Sequence, residues 1–337
     1  MTSDRLTTRN TAIDLIRGAS VLYIVGYWHL FNYTGAFPGY YNPLTLRLTV
    51  IILAVFVLVS GYLIGAKAID PGRNNIVNFY KTRLLRIYPP FLLAILLFYF
   101  LNIADIPTLA KSAALLSMFV GPAPPTLWFV TMILLFYIVA PLLIHLSGNV
   151  TRYVLVCALL VTGMLVGATL LNTVDARLVI YCPAFVAGVL LARHKVWLYG
   201  MNMGVMALLF VASVGISAGN IAPVEHSFLS IPLALVGSLL VLAVAAKSEE
   251  RVGRYGSITF LSYASFFMYL FHRPVYAVLR RMYFPTSGAL QIVYLVAVCL
   301  PCIVAVSAMA QRAYDRLLLK ADRRSESDLQ PRGHTRD

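Results

Sequence analysis

Ten apolar stretches, each of roughly 17 to 25 residues, constrain this chain more than any other feature of its sequence. About 20 predominantly apolar residues suffice for a helix to cross the hydrocarbon core of a bilayer. Of the 337 residues, 60% are hydrophobic and 12% are charged, about half the charged share of soluble domains. The sequence therefore predicts an all-α fold, a polytopic membrane helix bundle of about ten transmembrane helices. The stretches are residues 12–33, 45–67, 85–103, 126–147, 151–171, 177–193, 202–220, 227–246, 259–280 and 288–311.

The net charge of +14 alone would suit a nucleic-acid partner. However, the Lys and Arg residues concentrate in alternate connections, as the positive-inside rule requires, with Arg280 and Arg281 as the exception. This placement predicts membrane lipids rather than nucleic acid as partner, and both termini in the cytoplasm of a bacterial-type inner or plasma membrane. The basic connections contain Arg5, Arg9, Arg73, Lys81, Arg83, Arg86, Arg193, Lys195, Lys247, Arg251, Arg254 and residues 312–324.

The chain divides into three parts. Residues 1–11 form a cytoplasmic N-terminal segment, residues 12–312 the transmembrane domain, and residues 313–337 a cytoplasmic tail. The last stretch, from about 321, is charged and lacks aromatic residues, so the tail is predicted to be disordered. The first apolar segment has no small-residue cleavage site and is predicted to be a retained helix. A shorter apolar piece at 111–120 predicts an interfacial or re-entrant segment.

The four cysteines all lie in apolar segments. Cys299 and Cys302 have the spacing of a redox pair, but a thioredoxin-like motif needs a soluble strand-to-helix context. We therefore expect all four to pack as small hydrophobic residues. The sequence shows no cluster with metal-ligand spacing, and we expect no metal.

Ionisable residues within a membrane helix are costly and so indicate function. Asp14 and Arg17 are three residues apart and can pair on one helical face. His29 follows twelve residues after Arg17, about 18 Å further along a helix, and imidazole can accept a proton from a hydroxyl near neutral pH. A snorkelling Arg17 and a hydrogen-bonded structural His29 are the alternatives.

The segment FYKTRLLRIYPPF, residues 79–91, packs several basic groups into the start of one helix. Arg83 and Arg86 are three apart, and Lys81 is close by. Guanidinium groups suit phosphate oxygens, so the segment predicts a site for a phosphate-rich ligand. Contact with anionic lipid head groups is the alternative.

Two aromatic helices complete the set of candidates. In LSYASFFMYLFHRPVY, residues 261–276, His272 lies inside the helix and Pro274 removes a helical donor, which can bend the helix around a cavity. A structural role for His272 stays open. In residues 126–143, Trp128 is placed where an interfacial aromatic belt would put it.

Together these stretches resemble the acyltransferase 3 family of integral membrane acyltransferases. IDLIRGASVLYIVGYWHL is similar to the first-helix signature, FVLVSGYLIG at 56–65 to the Ser-Gly element, and FYKTRLLRIYPPF to the basic block ending in Ile-Tyr-Pro. LWFVTMILLFYIVAPLL resembles the Leu-Trp-Phe helix, and LSYASFFMYLFHRPVY the late histidine element. The resemblance implies about ten helices around a central cavity and transfer of an acyl group, commonly acetyl from acetyl-CoA, to a carbohydrate or related hydroxyl.

The resemblance also implies roles for single residues. His29 is the expected catalytic base, with Arg17 and Asp14 as companions on the same helix. The residues expected to bind acyl-CoA are Lys81, Arg83, Arg86 and Tyr88. The residues expected to support the site are Ser60, Trp128, Tyr263 and His272. Ser60, Tyr27 and Tyr88 are candidates to bind the oxyanion that develops on the thioester carbonyl.

Two departures from the family pattern are visible. Eleven residues, 18 to 28, separate Arg17 from His29 where the family has ten. On an ideal helix eleven steps return to within roughly 20° of the starting face, whereas twelve leave a residue about 120° away. Either the two need not share a face or a π-bulge absorbs one residue, and Gly26 is where we would expect it. The Leu-Trp-Phe helix also has Thr131-Met132-Ile133 where many members carry a glutamate, which argues against a carboxylate role there.

The sequence therefore predicts a membrane O-acyltransferase that uses acyl-CoA, with acetyl-CoA expected, and a carbohydrate, glycan or glycolipid acceptor. A transporter or flippase for a lipid-linked glycan, with His29 and His272 along a polar path, is the alternative. The sequence identifies neither the acceptor nor the oligomeric state.

Overall fold

The computed structural model describes residues 11–67, 72–219, 223–248 and 256–329, and these ranges contain helices and connections without a β-strand. In chain order the first helices are α1 (Thr11–Tyr23), a π-helical turn (Ile24–Trp28), α2 (His29–Phe31), α3 (Pro43–Gly65), α4 (Arg73–Phe100), α5 (Ile106–Ala113) and α6 (Leu127–Leu146). They are followed by α7 (Val150–Thr169), α8 (Ala176–Arg193), α9 (Lys195–Gly200), α10 (Met203–Ala218), α11 (Ile231–Ser248), α12 (Gly256–Met282), α13 (Gly288–Tyr294), a second π-helical turn (Leu295–Cys299) and α14 (Leu300–Leu329). Arg5, Arg9, Arg251 and Arg254 lie outside the described residues, as does most of the predicted segment 1–11.

The predicted polytopic helical bundle is confirmed. Each of the ten apolar stretches coincides with a helical segment. Within the described residues, seven helical segments are long and apolar enough to cross a membrane, and α10 is a shorter apolar helix. The number of crossings therefore stays a prediction. The piece predicted at 111–120 begins inside α5 and continues into the turn that follows it.

Helix α14 runs to Leu329, so residues 313–329 of the predicted tail are helical. Tertiary contacts explain the helix: the Tyr314 hydroxyl donates to the Leu85 carbonyl on α4, and its ring lies 6.0 Å from that of Phe267 on α12. Residues 330–337 lie outside the described part of the chain.

Helices α3 and α8 approach each other unusually closely because glycine lines their contact. A Cβ atom on Gly61 would overlap the Phe185 carbonyl oxygen, and one on Gly188 would overlap the Leu58 carbonyl oxygen. A Cβ on Gly65 would lie 2.6 Å from the carbonyl oxygen of Val189. Only glycine allows this backbone approach, so the Ser-Gly element of α3 has a packing role beside any part in the site.

Helix α12 is the element on which the first helix is fixed. The Ser262 hydroxyl donates to the Asp14 carboxylate at 2.6 Å, and the Arg17 guanidinium donates to the Ser265 hydroxyl at 2.9 Å. Both pairs join residues 248 positions apart in the chain. The helix continues through Pro274 up to Met282, so the predicted bend does not interrupt it.

All four cysteines carry free thiols. Cys157, Cys182 and Cys299 are buried, and Cys302 is partly buried. Their burial agrees with a packing role.

Candidate active site

Two cavities lie in succession along the same helices. We call the first the basic cavity; it has a volume of about 240 Å³. We call the second the histidine cavity; it has a volume of about 230 Å³. Residues from α3, α6 and α12 line both cavities. On α3 the two sets occupy successive turns, on α6 they adjoin at Trp128 and Phe129, and on α12 they share Tyr269. The first helical segment contributes to each: Arg17 lines the basic cavity, and His29 lines the histidine cavity.

The basic cavity brings together residues that the sequence predicted from separate segments. Arg17, Ser60, Arg83, Arg86 and Tyr263 all line it. Arg83 is partly buried, whereas Arg86 is exposed at the rim. The guanidinium groups of α1 and α4 therefore face one space, which is the arrangement that phosphate recognition requires.

Positive charge is concentrated at this end of the bundle. Lys67, which follows α3, has a lowered pKa, chiefly because Arg83 is close, then because of partial burial and because of Arg86. A phosphate-bearing ligand would relieve this repulsion among like charges.

A π-helical turn separates the two ionisable residues of the first helix. It spans Ile24–Trp28, so that the His29 amide donates to the Ile24 carbonyl five residues back. The turn contains Gly26, where the sequence placed a bulge. One absorbed residue makes twelve steps equivalent in direction to eleven on a regular helix, and this explains how Arg17 and His29 both reach the interior.

The turn is held by α12. The hydroxyl of Tyr276 donates to the Val25 carbonyl at 3.1 Å in a buried contact. Val21, Val25 and Leu30 are buried in one apolar cluster with Met268 of α12. The histidine that follows the turn is therefore placed by the packing of its neighbours.

His29 and His272 are in direct contact. Their rings stack with centroids 4.7 Å apart and planes 7° apart. The Nδ1 atom of His272 is 2.8 Å from the Tyr269 carbonyl oxygen, and a carbonyl can only accept, so Nδ1 carries the hydrogen. In the neutral imidazole Nε2 is then an acceptor. Within the described residues, neither the Nε2 of His272 nor the buried Nδ1 of His29 has a hydrogen-bond partner.

Tyr269 lies between the cavities and lines both. Its hydroxyl donates to the Thr126 carbonyl at 2.9 Å. Thr126 has a φ of 65°, a conformation that is unfavourable for a β-branched residue. Such strain persists where the surroundings enforce it and is concentrated at functional sites.

Trp128 and Arg177 form one wall of the histidine cavity. The Arg177 guanidinium lies 4.2 Å from the centroid of the Trp128 ring. It also forms a two-pronged ion pair with Asp175, through Nε at 2.9 Å and a terminal nitrogen at 2.6 Å. Burial acts to raise the pKa of Asp175, but the hydrogen bonds and charge of Arg177 outweigh it and hold this pKa below its usual range. The positive charge of Arg177 is thereby balanced within the protein.

Arg273 is the second arginine of the histidine cavity. It lies close enough to interact electrostatically with His29, His272 and Tyr269, and it contacts the Tyr33 hydroxyl. Its Nε atom is buried without a hydrogen-bond partner in the described structure.

Several predicted site residues lie outside both linings. Lys81 is exposed on α4, and the Tyr88 hydroxyl donates to the Ala113 carbonyl, which fixes α5 against α4. The Tyr27 ring stacks on that of Tyr23 and meets that of Phe31 edge-on. The predicted roles of Lys81, Tyr88 and Tyr27 at the ligand therefore receive no support from the geometry. Asp14 and His272 do not line either cavity. Asp14 accepts a hydrogen bond from Ser262, and His272 stacks on His29, which lines the histidine cavity.

Three residues of the histidine cavity were missed in the sequence: Arg177, Tyr269 and Arg273. Arg273 had a signal, since an arginine beside a membrane histidine is itself an intramembrane charge. Arg177 begins α8 after a connection outside the basic set, so its charge runs against the positive-inside pattern. Tyr269 had no signal among the many aromatic residues of its helix.

The described residues contain no group of three or more His, Cys, Asp or Glu side chains that could hold a metal ion. The polar groups that line the two cavities are imidazole, guanidinium, hydroxyl, phenol and indole groups and the carboxamide of Gln311.

Long apolar helices that enclose ionisable groups define an integral membrane protein with a polar interior. A family model described as an acyltransferase domain, the acyltransferase 3 model, matches residues 10–310. This match covers most of the chain, which therefore belongs to the acyltransferase 3 family. No curated protein and no solved structure matches this chain.

Proposed function

We propose that this acyltransferase moves an acyl group, acetyl in the first instance, from acyl-CoA to a hydroxyl of a carbohydrate, glycan or glycolipid. The donor occupies the basic cavity, and the acceptor hydroxyl enters the histidine cavity. The observation that carries the proposal is the succession of an arginine-lined cavity and a histidine-lined cavity along the same helices, with Tyr269 common to both.

Donor binding uses the guanidinium groups of the basic cavity. Arg83 and Arg86 bind the phosphates of CoA, and Arg17, held by Ser265, extends the positive surface inward. Because the phosphates stay at the rim, the thioester end of the pantetheine arm points along the bundle toward Tyr269 and His29.

The chemical step is a direct transfer. His29 takes the proton of the acceptor hydroxyl, whose oxygen forms a bond to the thioester carbonyl carbon. The tetrahedral intermediate then collapses, the carbon–sulfur bond breaks, and the imidazolium of His29 returns the proton to the departing thiolate. The products are the acyl ester and CoA, and no other reactant is required.

His272 positions the base. Its Nδ1 is tied to the backbone of its own helix, and its ring lies flat against that of His29. The stacked geometry has no in-plane hydrogen bond between the rings, so His272 restricts the orientation of His29 rather than exchanging a proton with it.

The positive-inside pattern supports a topology for this reaction. The basic cavity faces the cytoplasm, where acyl-CoA is made, both termini lie on that side, and the membrane is the inner or plasma membrane. The acceptor hydroxyl reaches the histidine cavity from the other end, so acyl groups cross the membrane as part of the transfer.

The test is label transfer in membranes supplied with [¹⁴C]acetyl-CoA. His29→Ala should lower incorporation into glycan and lipid extracts by at least about 100-fold, in the range of a lost general base. His145→Ala, which changes an exposed histidine at the end of α6, is the matched control and should leave incorporation unchanged.

Equal incorporation by the His29→Ala variant, at equal protein levels in the membrane, would refute His29 as the base. Glycan movement across the membrane that needs no acyl-CoA and survives in this variant would favour a transporter or flippase. Mass spectrometry of glycans from cells with and without the protein would identify the acyl group and the acceptor together.

A further inference from the structure

The histidine cavity carries a positive charge that no carboxylate among the described residues balances. Two arginines line it, and the lining within the described structure contains no Asp or Glu. Arg177 is neutralised by its two-pronged pair with Asp175 just outside the lining. Arg273 has no such carboxylate partner among the residues that the structure describes, and its buried Nε lacks a hydrogen-bond partner.

An unbalanced guanidinium inside a membrane bundle is costly. The free energy of removing an ion from water is several kcal/mol, and arginine keeps its charge in proteins. The Tyr33 hydroxyl contacts Arg273 but brings no negative charge in its neutral form. The same holds for His29, His272 and Tyr269. A ligand that carries an anion would therefore balance the charge of Arg273.

We infer that the acceptor is an anionic carbohydrate, whose carboxylate or phosphate group binds Arg273 while its hydroxyl lies against His29. This inference rests on the proposed function, since it describes the acceptor of the same reaction. Guanidinium and anionic oxygens form short, charge-assisted hydrogen bonds, and the planar group accepts two such oxygens at once. Arg273 lines the cavity, so its guanidinium group is placed to donate to such oxygens.

The size and walls of the cavity fit one such head group. Its volume of about 230 Å³ is below the roughly 300–1,000 Å³ of pockets for whole drug-sized ligands. Trp128 contributes a flat ring to the lining, and the Arg177 guanidinium lies 4.2 Å from its centroid. The cavity therefore holds one sugar residue, and the rest of the acceptor extends outside it.

A second arginine of α12 lies outside the cavity. Arg281 is exposed and donates to the Leu101 carbonyl. It behaves as a surface residue, whereas Arg273 lines a cavity that contains the proposed base. The two residues therefore give a matched pair for a test, with one arginine inside the site and one outside it.

The test measures binding and needs no transfer. The full chain in lipid nanodiscs is titrated by saturation-transfer NMR with methyl β-glucoside, methyl β-glucuronide, methyl β-glucoside 6-phosphate and inorganic phosphate. At least one charged sugar should bind the wild type at least about tenfold more tightly than the neutral sugar does, equivalent to about 1.4 kcal/mol. Arg273→Gln should abolish this preference, Arg273→Lys should keep part of it, and Arg281→Gln should leave it unchanged.

Which probe binds identifies the source of the anion: the glucuronide indicates a uronic acid, and the 6-phosphate a phosphorylated sugar. The inference is overturned by no preference for either charged sugar, by no binding of any probe, or by a preference that Arg273→Gln retains. Binding of inorganic phosphate as tight as that of the sugars overturns the assignment to a carbohydrate. If Arg273→Gln does not fold, the wild-type preference and the Arg273→Lys variant decide.

Failure here and failure of the proposed function are distinguishable. Loss of label transfer in His29→Ala together with equal binding of charged and neutral sugars leaves the acyltransferase and removes the anionic acceptor. Anion-dependent sugar binding combined with full label transfer in His29→Ala supports the anionic ligand and refutes His29 as the base.

Discussion

His29 and His272 lie with their rings parallel and 4.7 Å apart, although they are far apart in the chain. His29 follows a π-helical turn, and His272 lies in the middle of α12 with its Nδ1 bonded to the Tyr269 carbonyl. A stacked pair restricts ring rotation without requiring proton exchange, so this contact divides the roles: His29 faces the cavity, and His272 supports it from behind.

Replacing His272 tests this division. His272→Phe keeps a flat ring against His29 and should retain kcat to within about tenfold, whereas His272→Ala should lose about 100-fold, as expected when a reacting group is displaced. Both should leave the KM for acetyl-CoA close to the wild-type value, because the basic cavity is untouched. Rates of label transfer at several acetyl-CoA concentrations separate the two constants.

The outcome that contradicts a positioning role is a His272→Phe variant as inactive as His29→Ala. That result would mean that a nitrogen of His272 takes part in proton transfer. Folding is controlled by comparing the elution profiles of the variants in size-exclusion chromatography.

The π-helical turn makes a prediction about length rather than side chains. Deleting Gly26 should convert the turn to regular helix and keep Arg17 and His29 on the interior face, because eleven regular steps return to nearly the same direction. Inserting one alanine after Ile24 adds a step of about 100° and should turn His29 away. We expect the deletion to keep measurable label transfer and the insertion to abolish it.

Loss of activity in both length variants, with both correctly inserted, would show that the turn itself is required. Hydrogen exchange of the first helix checks whether the deletion has removed the weak backbone bonding of the turn.

The bulge could be predicted because it follows from arithmetic on one helix. Arg17 and His29 are twelve steps apart, so either they need not share a face or an irregular turn restores their direction, and the structure contains such a turn. The helical segments could also be predicted from the sequence, because length and apolar composition determine them in a membrane. The helical segments depend on local sequence alone, whereas the bulge also needed the spacing of the family that the chain resembles.

Tyr269 and Arg177 of the histidine cavity could not be predicted in the same way. They meet there only because α8 and α12 line one cavity, and no spacing within one segment encodes that arrangement. The sequence predicted that Tyr88 binds the ligand. In the structure its hydroxyl donates to the Ala113 carbonyl on α5, a tertiary contact that the sequence pattern does not contain. The helix over residues 313–329 was not predicted because the contacts of Tyr314 that support it are also tertiary.

Arg83 should act on donor affinity and not on the chemical step. Arg83→Ala removes a guanidinium from the basic cavity and should raise the KM for acetyl-CoA by at least about tenfold, the size of a lost hydrogen bond to a charged group. The kcat should stay within about twofold, because the contact is the same in the ground and transition states. Steady-state label transfer measures both constants.

Arg152→Ala is the control for Arg83, since Arg152 is exposed at the start of α7. It should leave both constants unchanged. Acetyl-dephospho-CoA, which lacks the 3′-phosphate, should be a poorer donor for the wild type and should show a smaller effect of Arg83→Ala. An unchanged KM in Arg83→Ala would place the phosphates elsewhere.

The close contact of α3 and α8 predicts a difference between two glycines. A Cβ on Gly188 would overlap the Leu58 carbonyl oxygen, so Gly188→Ala forces the helices apart and should lower the free energy of unfolding by about 1–3 kcal/mol. On α7, the position that a Cβ of residue 163 would occupy has no neighbouring atom within 4 Å, so Gly163→Ala should be neutral or stabilising by up to about 1 kcal/mol. Thermal midpoints of the two detergent-solubilised variants measure this difference. Equal midpoints would show that the glycines of α8 and α3 do not set the distance between their helices. The close contact with α8 would then not explain how α3 is fixed beside the two cavities.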